Sequence, residues 1–286
     1  MSSNPCGANP SKSLLACGAL ILLTTLFFVV APGLAQADTG SETSEEHISP
    51  YWGSAISQWT RWILYWAEER ELDPDLVAAV IRKESIGRAE AEGRYGGIGL
   101  MMVMSAENGL TWRPTTQELK QPNINLRWGT GILKEIIRET GGNLINALAA
   151  YNGGWEQMGL ASTQNYAHSV LTFYAYAIAA NHGYTYQESK VWTIVLITRV
   201  DGHIQLIQTD SSGHFLAPCF EGAIEFRDIY PEMKNAPRVR VTRFVNEQGR
   251  EVLIDAWLFV GGLDRNVGHR LIGVSNRSLP RIGHLP

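Results

Sequence analysis

Glu84 is the carboxylate whose placement could do chemistry. Between Asp73 and Ser85 the apolar residues Val77, Val80 and Ile81 recur at helical spacing, and Glu84 continues their stripe seven residues after Val77. A carboxyl at the C-terminal end of a helix, on its apolar face, is desolvated and meets the negative pole of the helix dipole. Both effects raise its pKa toward the range in which a general acid works near neutral pH. Taken alone, the residue reads more simply as a helix-end glutamate that reaches solvent or pairs with Arg88. Two other clusters invite attention. Tyr95-Gly96-Gly97-Ile98-Gly99-Leu100-Met101 is a glycine-rich loop that lets the backbone run close to another chain or a ligand. No Lys-Ser/Thr follows it, so it is not a phosphate-binding loop. Ala149-Ala150-Tyr151-Asn152-Gly153-Gly154 ends a helical pattern on two glycines, leaving Tyr151 and Asn152 at a helix tip, although Tyr151 alone also reads as core.

The elements that must position these residues are helical from Trp52 to about Gly183. Trp59, Trp62, Ile63 and Trp66 make one face of a first helix. Asp73-Pro74 supplies an N-cap and an N1 proline for the second, which runs to about Ser85. Asn123 to Thr140 forms a third, with Ile132, Leu133, Ile136 and Ile137 inward and Gly141-Gly142 as its stop. A short helix follows over Asn143 to Tyr151, then a last one over Gln164 to Asn181. After about Gln187 the texture turns to strands. Val191 to Thr198 and His203 to Gln208 join across Asp201-Gly202. Arg238 to Val245 and Glu251 to Val260 join through Asn246 to Arg250. The predicted fold class is α+β, an all-α domain over residues 51–186 followed by a small β-rich domain over residues 187–286. Nothing in the β-rich sequence decides whether it binds the protein's ligand, a partner or the helical domain.

With 286 residues, 45% of them apolar and 18% charged, the chain has the composition of a globular protein. Its formal charge of −4 and the lack of any dense Lys/Arg block argue against a nucleic-acid partner. Residues 1–37 read as a signal peptide: Lys12, an uncharged apolar run from Leu14 to Val30, the Pro32-Gly33 break and Ala35-Gln36-Ala37 at the cleavage site. The rival reading is an uncleaved membrane anchor. The protein is therefore expected to be exported, periplasmic or extracellular, with membrane contact only if that segment stays attached. Residues 38–50, polar and acidic, are expected to form a flexible lead-in. Cys6 and Cys17 lie in the leader and leave only Cys219, which excludes an internal disulfide and a cysteine-based zinc site. His168, His203 and His214 have no metal-ligand spacing, and no cofactor is called for.

Taken together, Glu84-Ser85, Gly96-Gly97-Ile98-Gly99-Leu100-Met101, Pro122-Asn123-Ile124-Asn125 and Ala150-Tyr151-Asn152-Gly153-Gly154 resemble, in order and spacing, the soluble lytic transglycosylase (SLT) domain, a family related in fold to goose-type lysozyme. The resemblance spans about residues 70–180. It implies a lysozyme-like helical domain acting on peptidoglycan glycan strands, with Glu84 as the sole catalytic acid/base. Glu84 would protonate the glycosidic oxygen between N-acetylmuramic acid and N-acetylglucosamine, then take the proton of the muramyl C6 hydroxyl as it closes a 1,6-anhydro ring. The substrate's own N-acetyl group would replace a second carboxylate. The resemblance also implies that Ser85, Gly99, Leu100, Met101, Tyr151 and Asn152 line or order the cleft. Tyr166, within Thr163-Gln164-Asn165-Tyr166, matches a segment where the family carries a cleft tyrosine, and could hold Glu84. It shares a helix face with Val170, Phe173 and Tyr174, so a core role stands beside that one.

Three departures bear on substrate contacts. Met102 stands where the family usually has a Gln, Gly93 where a Ser is common, and Ser162 where a Glu is frequent. Each removes a polar group and leaves the acid intact. Two other readings therefore stay open: a lysozyme-like hydrolase, which would need Glu90, Glu92 or Glu107 to place water opposite Glu84, and a wall-binding module without catalysis. Trp112, Trp128 and Trp155 could stack on sugar rings or simply be core.

Overall fold

The computed structural model describes residues 47–201, 203–213, 215–216, 219–220 and 235–263. Calls on residues 1–46 (the signal peptide and most of the lead-in), His214 and the last part of the β-rich region lie outside these residues. In chain order the helices are α1 (Ser54–Ser57), α2 (Thr60–Glu69), α3 (Pro74–Glu84), α4 (Thr116–Leu119), α5 (Pro122–Glu139), α6 (Leu144–Gly153) and α7 (Ala161–Asn181). The strands are β1 (Gly97–Ile98), β2 (Val103–Met104), β3 (Trp192–Val200), β4 (His203–Asp210), β5 (Phe215–Leu216), β6 (Cys219–Phe220), β7 (Arg238–Val245) and β8 (Glu251–Val260).

Helix α3 is the hub. Asp73 caps it by accepting from the Asp75 and Leu76 amides at 2.8 and 3.4 Å, and Pro74 opens it with a preset φ. Leu76 through Ile81 are all fully buried, so α3 is enclosed on every side rather than along the single stripe that the spacing suggested. Each of Leu76, Val77, Val80 and Ile81 stabilises the fold by roughly 1.5–3 kcal/mol through burial. Glu84 is the last residue of this enclosed rod. Helices α2 and α7 pack beside α3, α6 packs on α7, and Gly154, at φ +77°, ends the run of α6.

Three expectations need correction. The lead-in does not extend to residue 50, because Ile48 is in the core and Ser49 is pinned: its amide donates to Asp75 Oδ1 at 2.8 Å and its hydroxyl to the Ala177 carbonyl at 2.8 Å. Trp59 precedes α2 as its N-cap instead of lying within a longer first helix. The helical region is not all-α, since β1 and β2 form a two-stranded antiparallel hairpin with Gly97 opposite Met104 and Ile98 opposite Val103. The glycine-rich loop turns this hairpin, which no helical periodicity could signal.

The larger sheet is antiparallel in the order β5-β4-β3-β8-β7, with β6 also on β4. Strands β3 and β8, from different hairpins, form its centre. The change from helix to strand comes near residue 187, and the core runs across it: Trp192, Ile194, Leu196, Ile207, Val241, Ile254, Ala256 and Leu258 share one cluster with the helices. The sheet grips the helices that matter. The Asp73 amide, at the cap of α3, donates to the Val241 carbonyl at 2.8 Å. On α7, His168 Nε2 donates to the Asp210 carbonyl at 3.0 Å, and its ring stacks on Trp192. Of the three readings left open for the β-rich region, packing against the helices is the one the described residues display.

Candidate active site

The end of α3 opens into a cleft of about 410 Å³. Glu84 lines it together with Gly93, Arg94, Tyr95, Gly97, Met102, Val103, Met104, Arg113, Ile132, Ala150, Tyr151, Asn152 and Gly154. One wall is the β1–β2 hairpin, another the tip of α6. Glu84 is the only Asp or Glu among the described residues that line this cleft.

The Tyr166 hydroxyl donates to Glu84 Oε1 in a short hydrogen bond. Burial pushes the Glu84 carboxyl above its ordinary value; the Tyr166 hydrogen bond and the nearby Lys83 ammonium pull the other way and do not cancel it. Burial likewise raises Tyr166, helped by the negative charge of Glu84, so the phenol stays protonated and acts only as donor. Tyr151 is raised well above its usual value by burial and then by Glu84. Its hydroxyl donates to the Met101 carbonyl at 2.7 Å, so Tyr151 closes the cleft wall onto the turn of the hairpin.

That turn is built to tight tolerance. Gly99 has φ +76°, and a Cβ there would stand 2.3 Å from Asn125 Nδ2 and 2.5 Å from the Leu119 carbonyl oxygen. Met102 adopts φ +50°, a left-handed conformation that costs a side-chain-bearing residue of order 1–3 kcal/mol. Buried Asn125 on α5 holds the turn. It accepts from the Met101 amide at 2.8 Å and donates to the Ile98 and Leu119 carbonyls at 2.7 and 2.9 Å. On the far side, the Ser85 hydroxyl donates to the Leu100 carbonyl at 2.9 Å and accepts from the Gly87 amide at 3.1 Å. The Trp59 indole donates to the Gly87 carbonyl at 2.9 Å, steadying the chain just after Glu84.

The residues singled out from sequence thus fall into two groups. Glu84, Tyr151 and Asn152 face the cleft, and Tyr166 reaches Glu84 from α7. Ser85, Gly99, Leu100 and Met101 are buried and order the hairpin without lining the cleft, because their backbone groups and the Ser85 hydroxyl are spent on internal hydrogen bonds. Met102, the departure from Gln, does line it. Sequence reasoning missed Arg113, Met104 and Ile132, which have no motif around them. Asn125 stood inside a quoted motif without a role. The Arg113 amide donates to the Leu110 carbonyl at 2.8 Å; its Nη1 lies 3.5 Å from the Met104 carbonyl and its buried Nε has no partner among the described residues.

The other carboxylates are engaged elsewhere. Glu92 pairs with Lys120 at 2.8 Å, with Glu90 more distant at 3.9 Å. Glu107 accepts from the Thr116 amide and hydroxyl at the start of α4. Among the described residues no cluster of three or more His, Cys, Asp or Glu side chains could hold a metal ion. Trp112 and Trp155 are well exposed and Trp128 is half-buried. No helix among the described residues is long and apolar enough to cross a membrane.

Residues 61–173 match the family described as the transglycosylase SLT domain. A transglycosylase of Enterobacteria phage PRD1 is 32% identical over 122 residues, which is 41% of this chain and 43% of the phage protein. The endo-type membrane-bound lytic murein transglycosylase A of Salmonella paratyphi B is 28% identical over 109 residues, 33% of this chain and 53% of that protein. The chain spans about half the length of the curated relatives it matches. Among solved structures, an inactive variant of the lytic transglycosylase Slt from Pseudomonas aeruginosa aligns at 23% identity and a TM-score of 0.38, over 44% of this chain and 24% of that one.

Proposed function

We propose that this chain, whose residues 61–173 match the transglycosylase SLT domain, is an exported peptidoglycan lytic transglycosylase with Glu84 as its single acid/base. The substrate is the glycan strand, and the bond cut is the β-1,4 link from N-acetylmuramic acid to N-acetylglucosamine. One observation carries the reading: among the described residues the cleft holds one carboxylate, raised by burial and held by a tyrosine donor.

The chemistry follows from that arrangement. Protonated Glu84 donates its proton to the glycosidic oxygen as the C1–O bond breaks, and N-acetylglucosamine leaves with a free hydroxyl. The muramyl N-acetyl oxygen supports C1 on the opposite face, a role for which the described residues lining the cleft offer no second carboxylate. The resulting carboxylate then accepts the C6 hydroxyl proton while that oxygen bonds to C1, closing the 1,6-anhydro ring and restoring the acid. Tyr166 stays hydrogen-bonded to Glu84 throughout and holds the carboxyl in one orientation. Water is not consumed.

Digestion of purified peptidoglycan with the full-length protein, beside a Glu84→Gln control, tests this. Muropeptides one water lighter at the muramyl end, absent from the control, are the expected products by mass spectrometry. Full-mass reducing ends would make the enzyme a hydrolase. A folded protein that releases nothing from several wall types would leave only a wall-binding module.

A further inference from the structure

Helix α7 leads from the cleft to a second, aromatic hollow. At about 1.5 Å per residue, Tyr176 and Ala180 lie roughly 15 and 21 Å along its axis from Tyr166. There a hollow of about 310 Å³ is lined by Tyr51, Tyr176, Tyr184 and Tyr186, together with Gly183 and Ser189. Tyr51 and Tyr176 are partly buried against the core, whereas Tyr184 and Tyr186 are 37% and 54% exposed. Ring centroids are 5.6 Å apart between Tyr51 and Tyr176 and 5.2 Å apart between Tyr176 and Tyr186, at interplanar angles of 58° and 72°. The three rings therefore meet at angles, as the walls of a hollow, instead of stacking flat.

The backbone fixes these rings in advance. Helix α7 ends in a Schellman motif: the Tyr184 amide donates to the Ala179 carbonyl at 3.0 Å, the Gly183 amide donates to the Ala180 carbonyl at 3.1 Å, and Gly183 takes φ +80°. Glu188 then holds the following turn by accepting from the Thr185 amide and hydroxyl at 2.7 and 2.6 Å. On the opposite wall, the Ser49 hydroxyl donates to the Ala177 carbonyl at 2.8 Å and accepts from the Tyr51 amide at 3.3 Å. Two exposed aromatic rings are thus presented on braced backbone, which removes part of the ordering cost of binding a ligand.

The lining selects the class of ligand. Among the described residues no Asp, Glu, Lys or Arg lines the hollow, so it offers no match to an ionic group. Aromatic cages also take organic cations. Here, however, Lys190 Nζ already lies 5.6 Å from the Tyr186 centroid, and Arg82 is close enough to Tyr51 to oppose the rise that burial gives its pKa. Positive charge beside two of the four rings disfavours another cation. What fits is a neutral ligand with apolar faces for the rings and hydroxyl or amide groups for the phenols, which burial keeps protonated at Tyr51 and Tyr176. An N-acetylhexosamine ring has both features.

We propose that the tyrosine hollow is an auxiliary binding site for a neutral N-acetylhexosamine unit of the glycan, apart from the cleft, and that it holds the enzyme on its polymer between cuts. The choice of sugar rests on the reading of the chain as an enzyme of glycan strands.

Isotope-labelled full-length protein carrying Glu84→Gln, titrated with the tetramer of N-acetylglucosamine and followed by NMR, tests the proposal. The Gly183 and Ser189 amides report on the hollow, and the Gly97 and Asn152 amides on the cleft. Both sets should move. Adding Tyr184→Ala/Tyr186→Ala should weaken binding at the hollow about tenfold, or ~1.4 kcal/mol. The cleft set should respond as before, which also shows that the variant is folded. With Glu84 intact, the same two substitutions should lower retention on insoluble peptidoglycan several-fold and leave kcat/KM on short soluble glycan unchanged. Three results at the hollow would overturn the site: signals that stay still while sugar saturates the cleft, signals that answer choline in place of sugar, or signals that follow protein concentration without sugar, as for a second copy docking there. Retention that the double variant leaves intact would overturn its role in holding the polymer. A still hollow in a chain that cleaves glycan would leave the proposed activity standing. Hollow shifts in a folded chain that neither fills its cleft nor cleaves would sink that activity and keep the site.

Discussion

The Tyr166 hydroxyl donates to Glu84 Oε1 across 82 positions of chain, joining the N-terminal part of α7 to the last residue of α3. Both helices are anchored by the large sheet, α3 through the Asp73 amide on Val241 and α7 through His168 on Asp210 and Trp192. The pair therefore has little freedom to separate. Its energetics oppose each other: burial raises the Glu84 pKa, and the phenol donor lowers it.

Tyr166→Phe removes the donor and leaves the burial. The Glu84 pKa should rise further, and because the first step needs the protonated acid, the alkaline limb of the pH–kcat profile should shift to higher pH. The loss of orientation should lower kcat by about ten- to a hundredfold, within the range that positioned acid–base groups supply. A profile whose alkaline limb stays in place would show that Tyr166 packs beside Glu84 without poising it.

Glu84→Gln should abolish cleavage and stabilise the fold at neutral pH. The sign follows from linkage. A carboxyl whose folded pKa is raised contributes its full stability below the unfolded value, near 4.3, and loses it as pH rises through the folded value. The variant should therefore gain about 2–4 °C in Tm at pH 7 to 8 for each ~1 kcal/mol relieved, and no gain at pH 4. Thermal melts of both proteins from pH 4 to 8 would read this; an equal Tm difference at every pH would mean that packing, not charge, sets it.

The course of α3 was legible in the sequence because its cap, its N1 proline and its apolar spacing are local signals, and Glu84 followed from them. The two long hairpins were legible for the same reason, as strand pairs bounded by turns. Tyr166 remained balanced between core and site, since sequence spacing gives a helix face but not what that face meets across 82 residues. The shared core was also hidden. Trp192 and Ile194 read as strand residues of a separate domain, and only tertiary packing puts them in one core with the helices. Arg113 and Ile132 could not be found by any motif, because their place in the cleft depends on how the β2 end and α5 converge.

Asn125 ties α5 to the hairpin through Met101 and Ile98 and to the end of α4 through Leu119, with one bond accepted and two donated, all buried. Asn125→Ala leaves the Met101 amide without its acceptor and two carbonyls short of a donor. At roughly 1–3 kcal/mol for a buried group left unpaired, the variant should lose about 3 kcal/mol in guanidinium unfolding. The turn at Leu100 to Met102 should loosen too, so kcat/KM should fall more than the folded fraction accounts for. Activity that merely tracks the folded fraction would separate the hairpin from the chemistry.

Asp255 is fully buried on β8 and accepts from Arg199, from Arg238 at 2.9 Å and from Arg240 at 2.5 Å. Burial pushes its carboxyl up, yet the three guanidinium groups together outweigh it and hold the group below its usual range. Asp255→Asn should cost about 1–3 kcal/mol at pH 7, less than a wholly buried pair because the arginines are partly exposed. The sign with pH is opposite to that of Glu84. Here the stability is present above the unfolded value, near 3.9, and is lost as pH falls through the lower folded value. The difference between wild type and Asp255→Asn in denaturant unfolding should therefore be constant from pH 5 to 8 and shrink below about pH 4. The folded variant should still cleave, since Asp255 touches neither α3 nor α7 through any of these bonds; a loss of kcat in fully folded Asp255→Asn would show that the sheet transmits its own order to Glu84.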